Sequence, residues 1–458
     1  MSQGLKPALI GACNVRAKAR TYLRSKCNDN SKCSDNSKCN DNSNNNDRSN
    51  VCSALCVWGG ANAGGLQLRF RMTAKNKQQQ LQKQKQIPCG DDRKKNENTY
   101  RFKAGHSSMS SITQIQSLDW GTTPQGEAVH LFTLRNDHVE ASITTYGARL
   151  TSVQTHDRNG TLSEITLGAD ELTPYLTGKG YLGATIGRVG NRIAKGRFTL
   201  DGATYQIPLN NGPNALHGGP IGFDQKVWAA QEIPNGVELS YVSPDGEMGF
   251  PGTLRVTVRY TLTDNSLRLD YEATTDRPTV VSLTNHAYWN LTGEIGDLSH
   301  HLLKLNAESF TPVDDTLITT GELRAVAGTP HDFRSAKEIG LEWDNDDQQL
   351  QRAGGYDHNW VLVSSDGPLH LVAEVTDPGS GRTMHVFTTE PGVQFYSGNF
   401  LDGSFQGRGG GAFKKRSGFC LETQHFPNSP NQPAFPSTRL EPGTTLRSTT
   451  VHSFSVTS

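Results

Sequence analysis

The sequence predicts an all-β protein, one large antiparallel β-sandwich over residues 109–458 behind a disordered N-terminal extension over 1–108. Three observations carry this reading. From about residue 127 onward, apolar and polar residues alternate with period two, the pattern of strands with one buried and one wetted face. No long segment shows the 3.6-residue period of an amphipathic helix. Glycine and proline interrupt the alternating runs at short intervals, as turns between strands require.

The individual elements follow from the same rules. Strands are expected over 140–144 and 237–242. Residues 197–207 read as a hairpin, because Asp201-Gly202 suits the two positive-φ positions of a type I′ turn. Residues 254–262 alternate over a full nine positions, and after an Asp264-Asn265 turn the alternation resumes over 267–273. Further strands are expected over 370–376 and 384–388, with at best a short helix over 335–341.

Charge and cysteine separate the two regions. Of 45 Lys and Arg and 45 Asp and Glu, residues 1–108 hold 20 and 7, a formal +13, and the other 350 residues hold 25 and 38, a formal −13. The first region repeats a hexad beginning at Ser25, Ser31 and Ser37, then carries a Gln/Lys run over 75–86 and the cluster Arg93-Lys94-Lys95. It offers no periodic apolar face to offset the entropy of ordering, so disorder is expected. Its seven cysteines lie at spacings that fit zinc knuckles poorly. Alternatively the natural chain starts at Met109, the upstream residues arising from a mis-set start or a repeat expansion.

Several function classes drop out. No apolar run approaches the 18 residues of a membrane span, and the N-terminus shows no signal-peptide core, so a cytoplasmic protein with no membrane partner is expected. The body's single cysteine, Cys420, permits no internal disulfide, and the body's negative charge argues against a nucleic-acid partner. There is no phosphate-cradling glycine loop, no G-x-S-x-G elbow and no metal-ligand spacing, so no cofactor and no metal are expected.

Five segments resist explanation as plain strands and turns: Gly187-Arg-Val-Gly-Asn191-Arg192, Asn211-Gly-Pro-Asn-Ala-Leu-His217, Thr284-Asn-His286-Ala-Tyr288-Trp289-Asn290, Gly355-Tyr-Asp357-His-Asn-Trp, and Phe419-Cys-Leu-Glu422-Thr-Gln-His425. Each has a bland reading. A loop histidine among glycines is ordinarily solvated, Asn191-Arg192 is an ordinary surface pair, and Tyr288-Trp289 reads as core. Glu422 is harder to dismiss, since a carboxylate in an otherwise apolar segment is paired or functional. Chemistry unites the set. Asn, Arg, His, Asp and Gln are the hydrogen-bonding groups a polyhydroxylated ring requires, and an aromatic ring offers a flat face to sugar C–H bonds. A histidine and a glutamate add proton transfer on either side of one bond.

With these residues in view, the region from about residue 115 to the end resembles the aldose 1-epimerase (galactose mutarotase) family. The blocks G-R-V-G-N-R-I, N-A-L-H-G-G, T-N-H-A-Y-W-N-L, Y-D-H-N-W-V-L, E-P-G-V-Q-F-Y-S-G-N and L-E-T-Q-H-F-P-N-S-P-N-Q occur in the family's order across about 240 residues. The resemblance implies a galactose mutarotase-like supersandwich and an isomerase that interconverts the anomers of a free aldohexose such as glucose or galactose, without cofactor. It implies His286 as general acid and Glu422 as general base, with Asn191, Arg192, His217, Asp357 and Gln394 as sugar-binding groups. Tyr288, two residues from His286, lines the same pocket if that segment is extended. His358 and His425 are left as structural support. Two other classes compete: a non-catalytic carbohydrate-binding sandwich, which has no need of both His286 and Glu422, and a hexose-6-phosphate 1-epimerase, which needs an added basic cluster. The sequence leaves the oligomeric state open.

Overall fold

The computed structural model of the chain describes residues 112–457 apart from 179 and 363–367, so the expected low-complexity extension lies outside the described residues. Strands dominate, and the ladders between them are antiparallel. A five-stranded meander comes first, Gln114–Thr122, Ala128–Arg135, Val139–Thr144, Arg149–His156 and Leu162–Glu164, paired in chain order. A nine-stranded sheet runs in the order Ala229–Ile233, Gly236–Ser243, Leu254–Thr263, Ser266–Thr275, Leu446–Val456, Arg382–Thr388, His370–Thr376, Leu302–Leu305, Lys337–Glu338. A second five-stranded sheet orders Arg324–Ala325, Ala307–Thr311, Asp357–Leu362, Gly392–Tyr396 and Cys420–Gln424. One apolar core joins all three, including Leu134 and Ile143, Val256 and Leu269, and Trp360 and Phe395.

The alternation seen in the sequence does what period two demands. Leu254, Val256, Val258, Tyr260 and Leu262 are buried while Arg255 and Thr263 are exposed. At the expected hairpin, Arg197–Leu200 pairs with Ala203–Gln206, and Asp201 and Gly202 sit at φ +51° and +79°, as a type I′ turn requires.

The short helix expected over 335–341 is corrected. Lys337–Glu338 hydrogen-bonds to Leu302 and Leu303 as the edge of the large sheet, and only Ile339–Leu341 makes a 3₁₀ turn. The helix of this region is Gln348–Ala353. Asp347 accepts from the amides of Gln349 and Leu350 at its start, and Gly354 ends it at φ +67°. Six residues are too few to show a 3.6 period. No described helix is long and apolar enough to cross a membrane.

Candidate active site

The second five-stranded sheet builds one wall of the site. Asn359, Gln394 and Glu422 lie opposite one another across three strands, and Asp357, Tyr396 and Cys420 do so one step along. Side chains alternate across a sheet, so these residues share one face, while Trp360, Val393, Phe395 and Leu421 enter the core from the other. Gln394 Nε2 donates to Asp357 Oδ1 at 2.7 Å. Gln394 is not among the side chains lining the cavity; it stands behind Asp357 and holds its carboxylate.

Two short ladders deliver the opposite wall. Thr284–Asn285 pairs with Thr185–Ile186, and His286 follows at once, its amide donating to Ala184 O at 2.9 Å. Ala215–Leu216 pairs with Arg192–Ile193 and sets His217 against Asn191. The His217 amide donates to Asn191 O at 3.0 Å, and the Asn191 amide donates to His217 Nδ1 at 3.2 Å. Asn191 and His217 both hold left-handed backbone, φ +58° and +52°, a conformation that costs free energy and recurs at functional sites. Gly218 admits no side chain here, since a Cβ would lie 2.0 Å from the Gly187 carbonyl oxygen. The G-R-V-G-N-R and N-A-L-H-G-G segments are thus locked to each other.

Between the walls lies a cavity of about 520 Å³, lined among others by Asn191, Arg192, His217, His286, Tyr288, Asp357 and Glu422. Seven of the eight residues singled out from sequence therefore line one cavity, and the eighth, Gln394, supports it. Arg192 Nε donates to Asn211 Oδ1 at 3.0 Å, and its Nη1 lies 3.7 Å from Asp357 Oδ2. Tyr288 stacks on the His286 ring at 5.0 Å between centroids, whereas the neighbouring Trp289 turns into the core. His425 contacts Glu390 at 2.7 Å, and His358 lies in an aromatic cluster with Phe310 and His331; neither is among the residues lining the cavity.

At the centre, His286 Nε2 and Glu422 Oε1 are 3.8 Å apart, and both side chains are almost wholly buried. Burial raises Glu422 well above the usual carboxylate range; Asp357 adds to the rise and Arg192 opposes it. Burial lowers His286 to about 4. Glu422, which lines the cavity, leaves its Oε2 with no hydrogen-bond partner among the described residues. Buried acceptors of this kind are costly unless a ligand supplies donors.

His217, His286 and Glu422 each place a ligand atom within 4.8 Å of the others, the spacing of a metal triad that no sequence motif displayed. The hydrogen bonding does not fit a metal. His217 Nδ1 accepts from the Asn191 amide, so its proton sits on Nε2, which makes that nitrogen a donor rather than a ligand.

The cavity residues that the sequence reading did not single out include Tyr181, Arg352, Tyr396 and Phe400. Tyr181 packs edge-on against His217 at 4.6 Å and stacks against His286 at 5.9 Å. Nothing around it in sequence marks it. Tyr396 was within reach, since it lies two residues beyond Gln394 on a strand.

The family model described as aldose 1-epimerase matches residues 130–453. The chain belongs to the aldose 1-epimerase family. The galactose mutarotase of Bos taurus is 46% identical over 350 residues, 76% of this chain and 100% of that protein. The Homo sapiens galactose mutarotase is 44% identical over 352 residues, with the same shares covered. The aldose 1-epimerase of Escherichia coli is 40% identical over 336 residues, 72% of this chain and 96% of its own. Among solved structures, the galactose 1-epimerase of Lactobacillus acidophilus superposes with a TM-score of 0.66 at 27% identity, covering 76% of this chain and all of that one.

Proposed function

We propose that this member of the aldose 1-epimerase family interconverts the α and β anomers of a free aldohexose by acid–base ring opening and closure, without cofactor. The observation that carries the reading is the buried His286–Glu422 pair, 3.8 Å apart, at the centre of a cavity lined by hydrogen-bonding groups. With the pair ionised, Glu422 takes the proton of the anomeric hydroxyl while His286 protonates the ring oxygen, and the C1–O5 bond breaks. The open aldehyde is then held by a neutral pair, carboxylic acid and imidazole. Rotation about C1–C2 and the reverse transfers close the ring as the other anomer. Burial favours the neutral pair, the state that accompanies the aldehyde, and Arg192 favours the carboxylate needed for the cyclic sugar. The two influences keep both states accessible.

A phosphorylated sugar fits less well. The two guanidiniums among the described lining residues each face a carboxylate, Arg192 with Asp357 at 3.7 Å and Arg352 with Asp315 at 2.5 Å, so neither is free for a phosphate. A purely binding sandwich has no use for a buried carboxylate beside a buried imidazole, because desolvating both costs stability and adds no hydrogen bond to the sugar.

Polarimetry of fresh α-glucose and α-galactose with the protein tests the reading: mutarotation well above the buffer rate is expected, and a rate equal to buffer with either sugar overturns it. We further propose that residues 109–458 form the whole catalytic domain. A chain beginning at Met109 is expected to keep full activity and the same Tm, while a Tm lower by several degrees would show that the preceding residues pack on it.

Arg192→Ala and Asp357→Ala are expected to weaken sugar binding roughly tenfold to a hundredfold, the loss of a charged hydrogen bond of about 1.5–3 kcal/mol. Titration calorimetry with galactose reads this directly. An unchanged Kd would remove the residue concerned from the binding set.

A further inference from the structure

The chemistry assigned to His286 uses Nε2, the nitrogen facing Glu422, and leaves Nδ1 a task of its own. For Nε2 to pass a proton out and take it back, Nδ1 must keep its hydrogen throughout. If that hydrogen is lost, neutral His286 carries its proton on Nε2 and is neither a base nor a useful acid there. Nδ1 therefore needs an acceptor. The Cys420 sulfur lies 3.5 Å from it, wholly buried. Cys420 stands two residues before Glu422 on the strand Cys420–Gln424, so one strand face addresses both nitrogens of one imidazole. Tyr288 at 5.0 Å and Tyr181 at 5.9 Å stack on the ring with near-parallel planes of 22° and 25°, which favours the orientation that makes this contact.

We propose that Cys420 is a positioning residue for catalysis: its sulfur accepts the Nδ1–H of His286 and holds the imidazole in the tautomer whose Nε2 exchanges the proton. The proposal rests on the acid–base reading of His286. A thiol can donate as well as accept, and it is the chemistry at Nε2 that requires the accepting role here; as a weak acceptor the sulfur brings no large rise in basicity of the kind a carboxylate at Nδ1 brings. The other titratable groups around the ring are Glu422 at Nε2, Tyr181 and Tyr288 on its faces, and His217 and Tyr396 edge-on, with Arg149 further out.

The test reads the tautomer as well as the rate. Nitrogen-15 NMR of the wild-type protein at pH 7, with His286 assigned by comparison with His286→Asn, is expected to show the hydrogen on Nδ1. Finding it on Nε2 overturns the proposal with no variant needed to fold. Cys420→Ala is expected to lower kcat at least roughly tenfold with KM within about twofold, because a misplaced tautomer costs turnover rather than binding. Its spectrum should show a growing Nε2–H population. Cys420→Ser restores an acceptor and is expected to recover most of kcat, with the histidine limb of the pH profile moved upward. An alanine variant with unchanged kcat, or with an unchanged His286 spectrum, overturns the assignment. Because the tautomer is read without sugar, a wild-type protein lacking mutarotation would sink the functional reading and leave this test standing.

Discussion

Glu422→Gln is expected to lower the catalysed mutarotation rate by roughly 10²–10⁴, about 3–5 kcal/mol of barrier. The amide keeps the shape of the buried carboxyl and cannot take the anomeric proton. His286→Asn is expected to cost a similar factor, since the ring oxygen then leaves C1 without a proton donor. The double variant should be little slower than either single one. The two groups work in one concerted step, each moving its own proton, so removing the second takes away little that the first has not already removed. The pH profile of kcat/KM is expected to be bell-shaped with apparent values belonging to the pair, and each variant should lose a limb. Burial moves the two groups in opposite senses, His286 down to about 4 and Glu422 well up, so it favours the neutral pair over the ionised one. Stopped-flow polarimetry across pH 4–9 measures the profile. Near-normal activity in Glu422→Gln with sugar still bound would falsify the mechanism.

The sandwich was legible because period-two alternation is a direct imprint of half-buried strands, as in Leu254–Thr263 and its partner Ser266–Thr275. The last strand, Leu446–Val456, is central to the large sheet yet carries Ser and Thr at buried positions such as Ser448 and Thr450, which hides its alternation. The site was legible as a set of segments rather than as a place. Sequence put a histidine, a glutamate and sugar-binding groups in separate segments; the ladders Thr185–Ile186 with Thr284–Asn285, Arg192–Ile193 with Ala215–Leu216, and Gly392–Tyr396 with Cys420–Gln424 bring them together. What sequence could not show is the packing against the imidazole. Tyr181 is a single tyrosine in a glycine-rich segment, and Cys420 reads as a small apolar core residue until its distance to His286 is known. The metal-like approach of His217, His286 and Glu422 was equally invisible, because three segments far apart in sequence supply it, the last of them a strand.

Acid is expected to destabilise the protein well before its carboxylates protonate. Six buried histidines, at 217, 286, 301, 331, 358 and 452, are all lowered, with burial the largest cause in each. His286 and His452 fall to about 4, and His331 to about 3. In the unfolded chain a histidine titrates near pH 6.5. Below that pH the unfolded state binds protons that the folded state refuses, so the stability present above pH 6.5 drains away as pH falls toward the folded values. Each such histidine adds up to about 1.4 kcal/mol per pH unit to the slope. Glu422 works the other way, since its raised carboxyl is a burden when ionised and is relieved as pH falls through its folded value, which offsets part of the loss at His286. His331 isolates the effect. Among the described residues neither of its ring nitrogens has a hydrogen-bond partner, it stacks on Phe310 at 4.2 Å with near-parallel planes, and it does not line the catalytic cavity. His331→Phe keeps an aromatic ring in that stack and removes the titration. Urea unfolding between pH 7.5 and 5 is expected to show a steep fall in stability for the wild-type protein and a slope shallower by up to about 1.4 kcal/mol per unit in the variant, with mutarotation unchanged at pH 7.5. A wild-type stability flat across that range would mean that the buried histidines are charged, or reached by water, in the folded state.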